Sequence, residues 1–172
     1  KIAQWYTYVL DVMKRFINHK MAVCGLTVLL IEVILIIILP GIMHLDPYSS
    51  GAYFGAAPGN GYLLGTDDTG RDLFARLVYG GQTSLYVGFL AVLISAAIGI
   101  PLGMIAGYYR GAAEIVIMRA ADIFMAFPSM ILIMVLVSVI GPSVQSVTVI
   151  IGLMGWPQFA RLLYGSVLSV RE

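Results

Sequence analysis

Charge is the scarcest commodity in this chain. Asp, Glu, Lys and Arg make up 11% of its 172 residues, whereas 60% are hydrophobic and the mean hydropathy is +0.94. A soluble domain carries about 25% charged residues, so the composition excludes an ordinary water-solvated surface and points to an integral membrane protein. The net charge of +1 gives no argument for a nucleic-acid partner. There is one cysteine, Cys24, so an internal disulfide is excluded. It lies in an apolar run and reads as a small buried residue. The two histidines, His19 and His44, flank that run on opposite sides and cannot share a metal. No paired carboxylates and no nucleophile–base set stand out, so neither catalytic nor metal-ligating residues are expected. The glycines of residues 65–81 follow no strand and lack the lysine of a phosphate loop. The Asp spacing there matches no calcium pattern. Met118, Met125, Met130 and Met134 fall on several helix faces, which suits flexible packing better than a thioether track.

Long uncharged runs are what the chain does have. Ser84–Tyr109 reads SLYVGFLAVLISAAIGIPLGMIAGYY without a single charge. At ~1.5 Å of rise per residue it more than spans the ~30 Å hydrocarbon layer. Small residues recur at every fourth position: Ala91, Ser95, Gly99, Gly103 and Gly107. On a helix they form one shallow stripe that lets another backbone approach closely, which is how helices gain contact energy in lipid. Pro101 lies within the run and predicts a bend.

The rest of the chain is organised around that run. In Lys1–Lys20, Trp5, Val9, Val12 and Phe16 recur at helical spacing, with Lys14, Arg15 and Lys20 basic. This predicts an interfacial helix on the cytoplasmic surface (residues 1–20) and no signal peptide. Met21–Met43 is the first span. Glu32 interrupts it at a cost of roughly 2.5–3.5 kcal/mol, which the Leu, Ile and Val residues outweigh. Glu32 is expected to make a helix contact. Residues 44–82 read as an extracytoplasmic loop holding a short amphipathic outer helix, capped by Asp67, Asp68 or Thr69 and ended by Gly80 and Gly81. Residues 83–172 read as the membrane core. Arg110 with Glu114, and Arg119 with Asp122, have pairing distances on a helix. A third span centres on Ile123–Ile140, kinked at Phe127 and Pro128. Val144–Trp156 is too short to cross unaided, so a fourth span is expected to run or bend into the interface through Gln158–Val170. Eight basic residues fall on one side of these spans and two, Arg71 and Arg76, on the other. The excess places both ends of the chain in the cytoplasm and residues 48–82 outside.

Three stretches in this order resemble a known family: GTDDTGRDLFARLVYGGQTSL (Gly65–Leu85), MRAADIFMAFPSMIL (Met118–Leu132) and GWPQFARLLYGSVLSVRE (Gly155–Glu172). They are similar to the permease subunits of ABC importers for dipeptides, oligopeptides and nickel, and more closely to the second permease of the pair. Asn18-His19-Lys20 fits as well. The chain departs from the common pattern at Gln82, Glu114 and Tyr164, where Arg, Asp and Arg are usual. The resemblance implies an all-α membrane protein with about four transmembrane helices of the type I ABC importer permease fold. It implies a bacterial or archaeal cytoplasmic (inner) membrane and one half of an alternating-access path. Gly65, Thr66, Asp67, Gly70, Arg71 and Asp72 form the outer signature, placed to meet an extracytoplasmic substrate-binding protein. Trp156, Arg161 and Glu172 lie on the approach to an ATPase. The implied partners are a second permease, two ATP-binding cassette subunits holding ATP-Mg, the binding protein and the bilayer. The chain itself is expected to hold no cofactor and to be no enzyme. The Glu-Ala-Ala coupling loop and two further spans are expected beyond Glu172, which marks the chain as a fragment or a shortened form. The alternative reading is an ion-coupled secondary transporter or channel subunit, for which only Glu32 offers a mid-membrane ionisable group; a membrane scaffold that only binds partners is a further rival.

Overall fold

Apolar runs punctuated by Gly, Pro and His become a short helical segment, five longer helices and one ordered loop in the computed structural model, which describes residues 12–171. The chain divides into two compact units at the Gln82–Thr83 bond.

In the first unit, residues 12–18 are helical and the expected interfacial helix ends there rather than at Lys20; its residues 1–11 lie outside the described residues. His19 interrupts the chain. Its Nδ1 accepts from the Ala22 N–H (3.2 Å) and so caps helix α1, Lys20–Met43. At 24 residues α1 is ~36 Å long, enough to cross a bilayer. None of its residues is buried, and Cys24 is exposed rather than enclosed. The apolar run around Cys24 marks a lipid-length span, not a core. Glu32 is exposed too and meets no hydrogen-bond or ionic partner among the described residues. α1 ends at His44, which takes a left-handed conformation (φ 47°).

Helix α2, Leu73–Tyr109, begins in this unit and runs on without a break for 37 residues. The amphipathic segment after Leu73 is therefore not a separate outer helix. Gly80 and Gly81 keep helical backbone and do not end it. Gly81 serves instead as a notch, because a Cβ there would stand 2.7 Å from Ile36 Cδ1.

In the second unit α2 turns at Arg110 into α3, Gly111–Ala126, followed by α4, Ser129–Ile140, and α5, Val144–Arg171. Phe127 precedes a proline, whose ring excludes the helical region for the residue before it. Phe127 is accordingly extended (φ −88°, ψ 137°), and α3 and α4 meet at 87°. The expected third span is thus two helices rather than one kinked rod. α5 is continuous through Pro157, so of the two courses expected for the fourth span the chain takes the one that runs on, as a single 28-residue helix. Among the described residues three helices, α1, α2 and α5, are long and apolar enough to cross a membrane, and the bent pair makes a fourth crossing if taken as one.

α5 packs against α3 and α4. Its buried centre is small: Ala121, Trp156 and Ala160, surrounded by Ile98, Leu102, Ile117, Met118 and Ala120. Trp156 meets Phe124 edge-to-face at 5.6 Å, a favoured aromatic geometry. With two alanines in the centre, close backbone approach replaces large side chains as the source of contact.

Candidate functional site

Two constructions stand out, one in each unit. In the first unit the signature residues tie the loop before α2 into a clasp. Gly65 and Gly70 have positive φ (82° and 78°), and a Cβ at Gly70 would come within 2.9 Å of Gly51 O. Only glycine fits such a turn without strain. Backbone bonds then cross the loop: Gly51 N–H to Gly70 O (2.8 Å), Gly55 N–H to Asp67 O (2.9 Å) and Thr66 N–H to Ala56 O (3.0 Å). Thr66 is buried, and its Oγ1 accepts from Ala56 N–H. Asp67 sits at the centre. Its carboxylate accepts from the Thr69 hydroxyl (2.7 Å), from Thr69 N–H (2.8 Å) and from Arg71 N–H (2.9 Å), and it pairs with the Arg76 guanidinium. The Thr69 hydroxyl first, then the Arg71 amide, hold its carboxyl well below the usual carboxylate range.

Asp72, not Asp67, Asp68 or Thr69, caps α2, accepting from Phe74 N–H (2.8 Å) and Ala75 N–H (3.4 Å). Leu73 N–H donates back to Gly65 O, which stitches the clasp to the first turn of the helix. Arg71 Nε is buried and has no hydrogen-bond partner among the described residues. Beside the clasp a cavity of about 260 Å³ is lined by Met43, His44, Asp46, Tyr62, Asp72 and Phe74, among others. The Tyr48 N–H lowers the Asp46 carboxyl from its ordinary range.

In the second unit the small-residue stripe of α2 lies against α5. A Cβ at Gly99 would stand 2.5 Å from Trp156 O and Phe159 Cβ; one at Gly103 would stand 2.9 Å from Ala160 Cα, and one at Gly107 2.8 Å from Val167 Cβ. Ser95 donates its hydroxyl to Gly152 O (2.8 Å), and both are 57 residues apart in the chain. Gly99–Trp156, Gly103–Ala160 and Gly107–Tyr164 keep the same separation. A constant offset means that the helices run parallel, with every-fourth-residue rows meeting row to row. Ala91 and Ser95 are buried in this seam. α5 contributes its own notches, Gly152 and Gly155, against Ile94 and Ser95. Because α2 and α5 are parallel, α3 and α4 together carry the chain back across between them.

Two polar groups of α3, Glu114 and Asp122, meet α5. Asp122 pairs with Arg161 and lies 3.9 Å from Arg119, and the Tyr164 hydroxyl donates to Glu114. The stronger partner of Asp122 is thus on another helix, not on its own. Glu114 meets Tyr164 rather than Arg110, because Arg110 stands in the turn (φ 55°) outside the helical geometry that an i,i+4 pair requires. Trp156 is 7% exposed and belongs to the core. Arg161 is engaged with Asp122, and Glu172 lies outside the described residues. Pro101 falls inside continuous α2, while Phe127 and Pro128 are exposed at the α3–α4 break. Sequence reading missed the α5 face, the Asp122–Arg161 pair and a proline in the first span, Pro40. The α5 face had a signal: Gly152, Trp156, Ala160 and Tyr164 repeat with the same period of four as the stripe. Among the described residues no group of three or more His, Cys, Asp or Glu side chains comes together as a metal site.

Comparison with known proteins places these parts. Residues 99–172 match the family described as binding-protein-dependent transport system inner membrane component. Residues 7–58 match the N-terminal transmembrane domain of oligopeptide transport permease C. The chain is 36% identical over 166 residues to the dipeptide transport system permease protein DppC of Haemophilus influenzae, covering 91% of this chain and 56% of that protein. It is 37% identical to the glutathione transport system permease protein GsiD of Pectobacterium atrosepticum (92% and 54%). It is 31% identical to the oligopeptide transport system permease protein OppC of Bacillus subtilis (94% and 53%). The chain therefore spans about half the length of the curated relatives it matches. With a helical membrane architecture and both family matches falling on it, the chain belongs to the binding-protein-dependent transport permeases, in the group of the dipeptide and oligopeptide permease C subunits.

Proposed function

We propose that this chain forms part of one half of a peptide-conducting path in an ATP-driven importer. The observation that carries this reading is the similarity to peptide and glutathione permeases over more than nine-tenths of the chain. The geometry is consistent with it: helices packed backbone to backbone and a stitched outer loop, with the polar groups used for packing. In this reading the chain performs no chemistry. ATP-Mg is bound and hydrolysed by two separate cassette subunits, a second permease completes the path, and an extracytoplasmic binding protein delivers cargo at the clasp. Both ends of the chain lie in the cytoplasm, as the basic-residue bias implies. Di- and oligopeptides are the cargo class; nickel is a second candidate from the resemblance alone.

Reconstitution with the partner permease, the cassette subunits and the binding protein tests this. Uptake of labelled di- and tripeptides should require ATP and binding protein, and should be indifferent to a proton gradient. Uptake that follows the gradient without ATP would instead make the protein an ion-coupled carrier. Competition by Ni²⁺ in the same assay separates the two cargoes.

A further inference from the structure

Pro40 leaves a defined gap in α1. A helical carbonyl accepts from the N–H four residues on, and proline has none, so Ile36 O loses its donor. In a span of membrane length, water does not replace that donor. Gln82 does: its Nε2 donates to Ile36 O at 2.9 Å, and both residues are half-buried. The neighbouring Gly81 makes the approach possible, since a Cβ there would stand 2.7 Å from Ile36 Cδ1. One turn back on α2, the Tyr79 hydroxyl reaches Leu45 O just beyond the end of α1 (3.3 Å).

We propose that Gln82 is the positioning residue that seats the outer end of the first span on α2, by supplying the hydrogen bond that Pro40 withdraws. α1 has no buried residue, so this bonded corner, rather than apolar burial, fixes the span within its unit. The arrangement depends on three residues together. Pro40 opens the carbonyl, Gly81 clears the space and Gln82 fills it. Any long side chain with an N–H donor at position 82 can serve; one without a donor cannot.

The test is a double-mutant cycle in the full chain in lipid nanodiscs, read by thermal unfolding and by the infrared amide I band of an isotope-labelled Ile36 carbonyl. Gln82→Leu should lower the melting temperature by about 2–4 °C, the shift expected for one hydrogen bond in a chain of this size. The labelled band should move to higher wavenumber. Gln82→Arg, which keeps N–H donors, should show neither change. In a Pro40→Ala background, where residue 40 again donates to Ile36 O, Gln82→Leu should have little effect on either readout. Equal losses in both backgrounds, or an unmoved band, would overturn the proposal. Should Gln82→Leu fail to fold, the pair with Pro40→Ala decides: recovered folding supports the assignment and continued failure refutes it.

Discussion

Gly99, Gly103 and Gly107 lack side chains because α5 occupies the space a side chain would need. Gly103 is the sharpest case, with Ala160 Cα and Leu163 Cβ each 2.9 Å from its missing Cβ. A Gly103→Leu substitution has no flexible neighbour to displace, so we expect a loss of about 3 kcal/mol or more, at the upper end of overpacking effects. Unfolding in detergent with rising SDS measures it. Gly88→Ala is the control: nothing lies within 4 Å of its Cβ, and removing a helical glycine should leave stability equal or raise it by up to ~1 kcal/mol. Asp67 makes a second prediction. Its folded carboxyl titrates below the unfolded one, so its contribution to the clasp is complete above pH ~4 and is lost as pH falls through the lowered value. Hydrogen exchange at the Thr69 and Arg71 amides should stay slow from pH 7 to pH 5. In Asp67→Asn those amides should exchange faster across the whole range. The stripe residues were legible in the sequence because their period is local. The role of Asp67 was not, because its bonds depend on a fold of the loop that no periodicity announces.

Among the elements, the helix boundaries diverge most from a residue-by-residue reading. Gly80-Gly81 reads as a stop and Trp156-Pro157 as a place to bend, yet α2 and α5 pass through both as helix. Packing outweighs propensity at each place. Gly81 accommodates Ile36, and Pro157 is fully buried. Pro128 does stop its helix, because Phe127 before it is forced out of the helical region and nothing buried holds it in. Replacing Pro128 by Ala removes that constraint. With spin labels at the exposed positions Ile115 and Val139, the separation should be about 25 Å across the 87° break and should rise toward about 36 Å if Pro128→Ala joins the helices. An unchanged distance would assign the break to packing by α5 rather than to proline.

At the scale of the whole molecule, the scarcity of charge identified a membrane protein, and the long uncharged runs identified its helices. The number of crossings was less accessible, because it depends on how α3 and α4 combine. The parallel course of α2 and α5 supplies what length could not: the chain must return between them. The proposed orientation has a direct check. In a Cys24→Ser background, Phe54→Cys should react with an impermeant maleimide in intact cells, and Met13→Cys only after permeabilisation. The opposite pattern would invert the molecule. The constant 57-residue offset between α2 and α5 carries one more implication. Hollows spaced four residues apart are ~6 Å apart along the axis, and the knuckles seated in them are largely main chain, which does not yield. Like a rack meeting its pinion, the two rods cannot creep past each other by an ångström or two; they stay in step, roll about the line of contact, or jump a whole pitch. Whatever displacement α2 and α5 undergo against each other must be quantised in that way or carried by other joints.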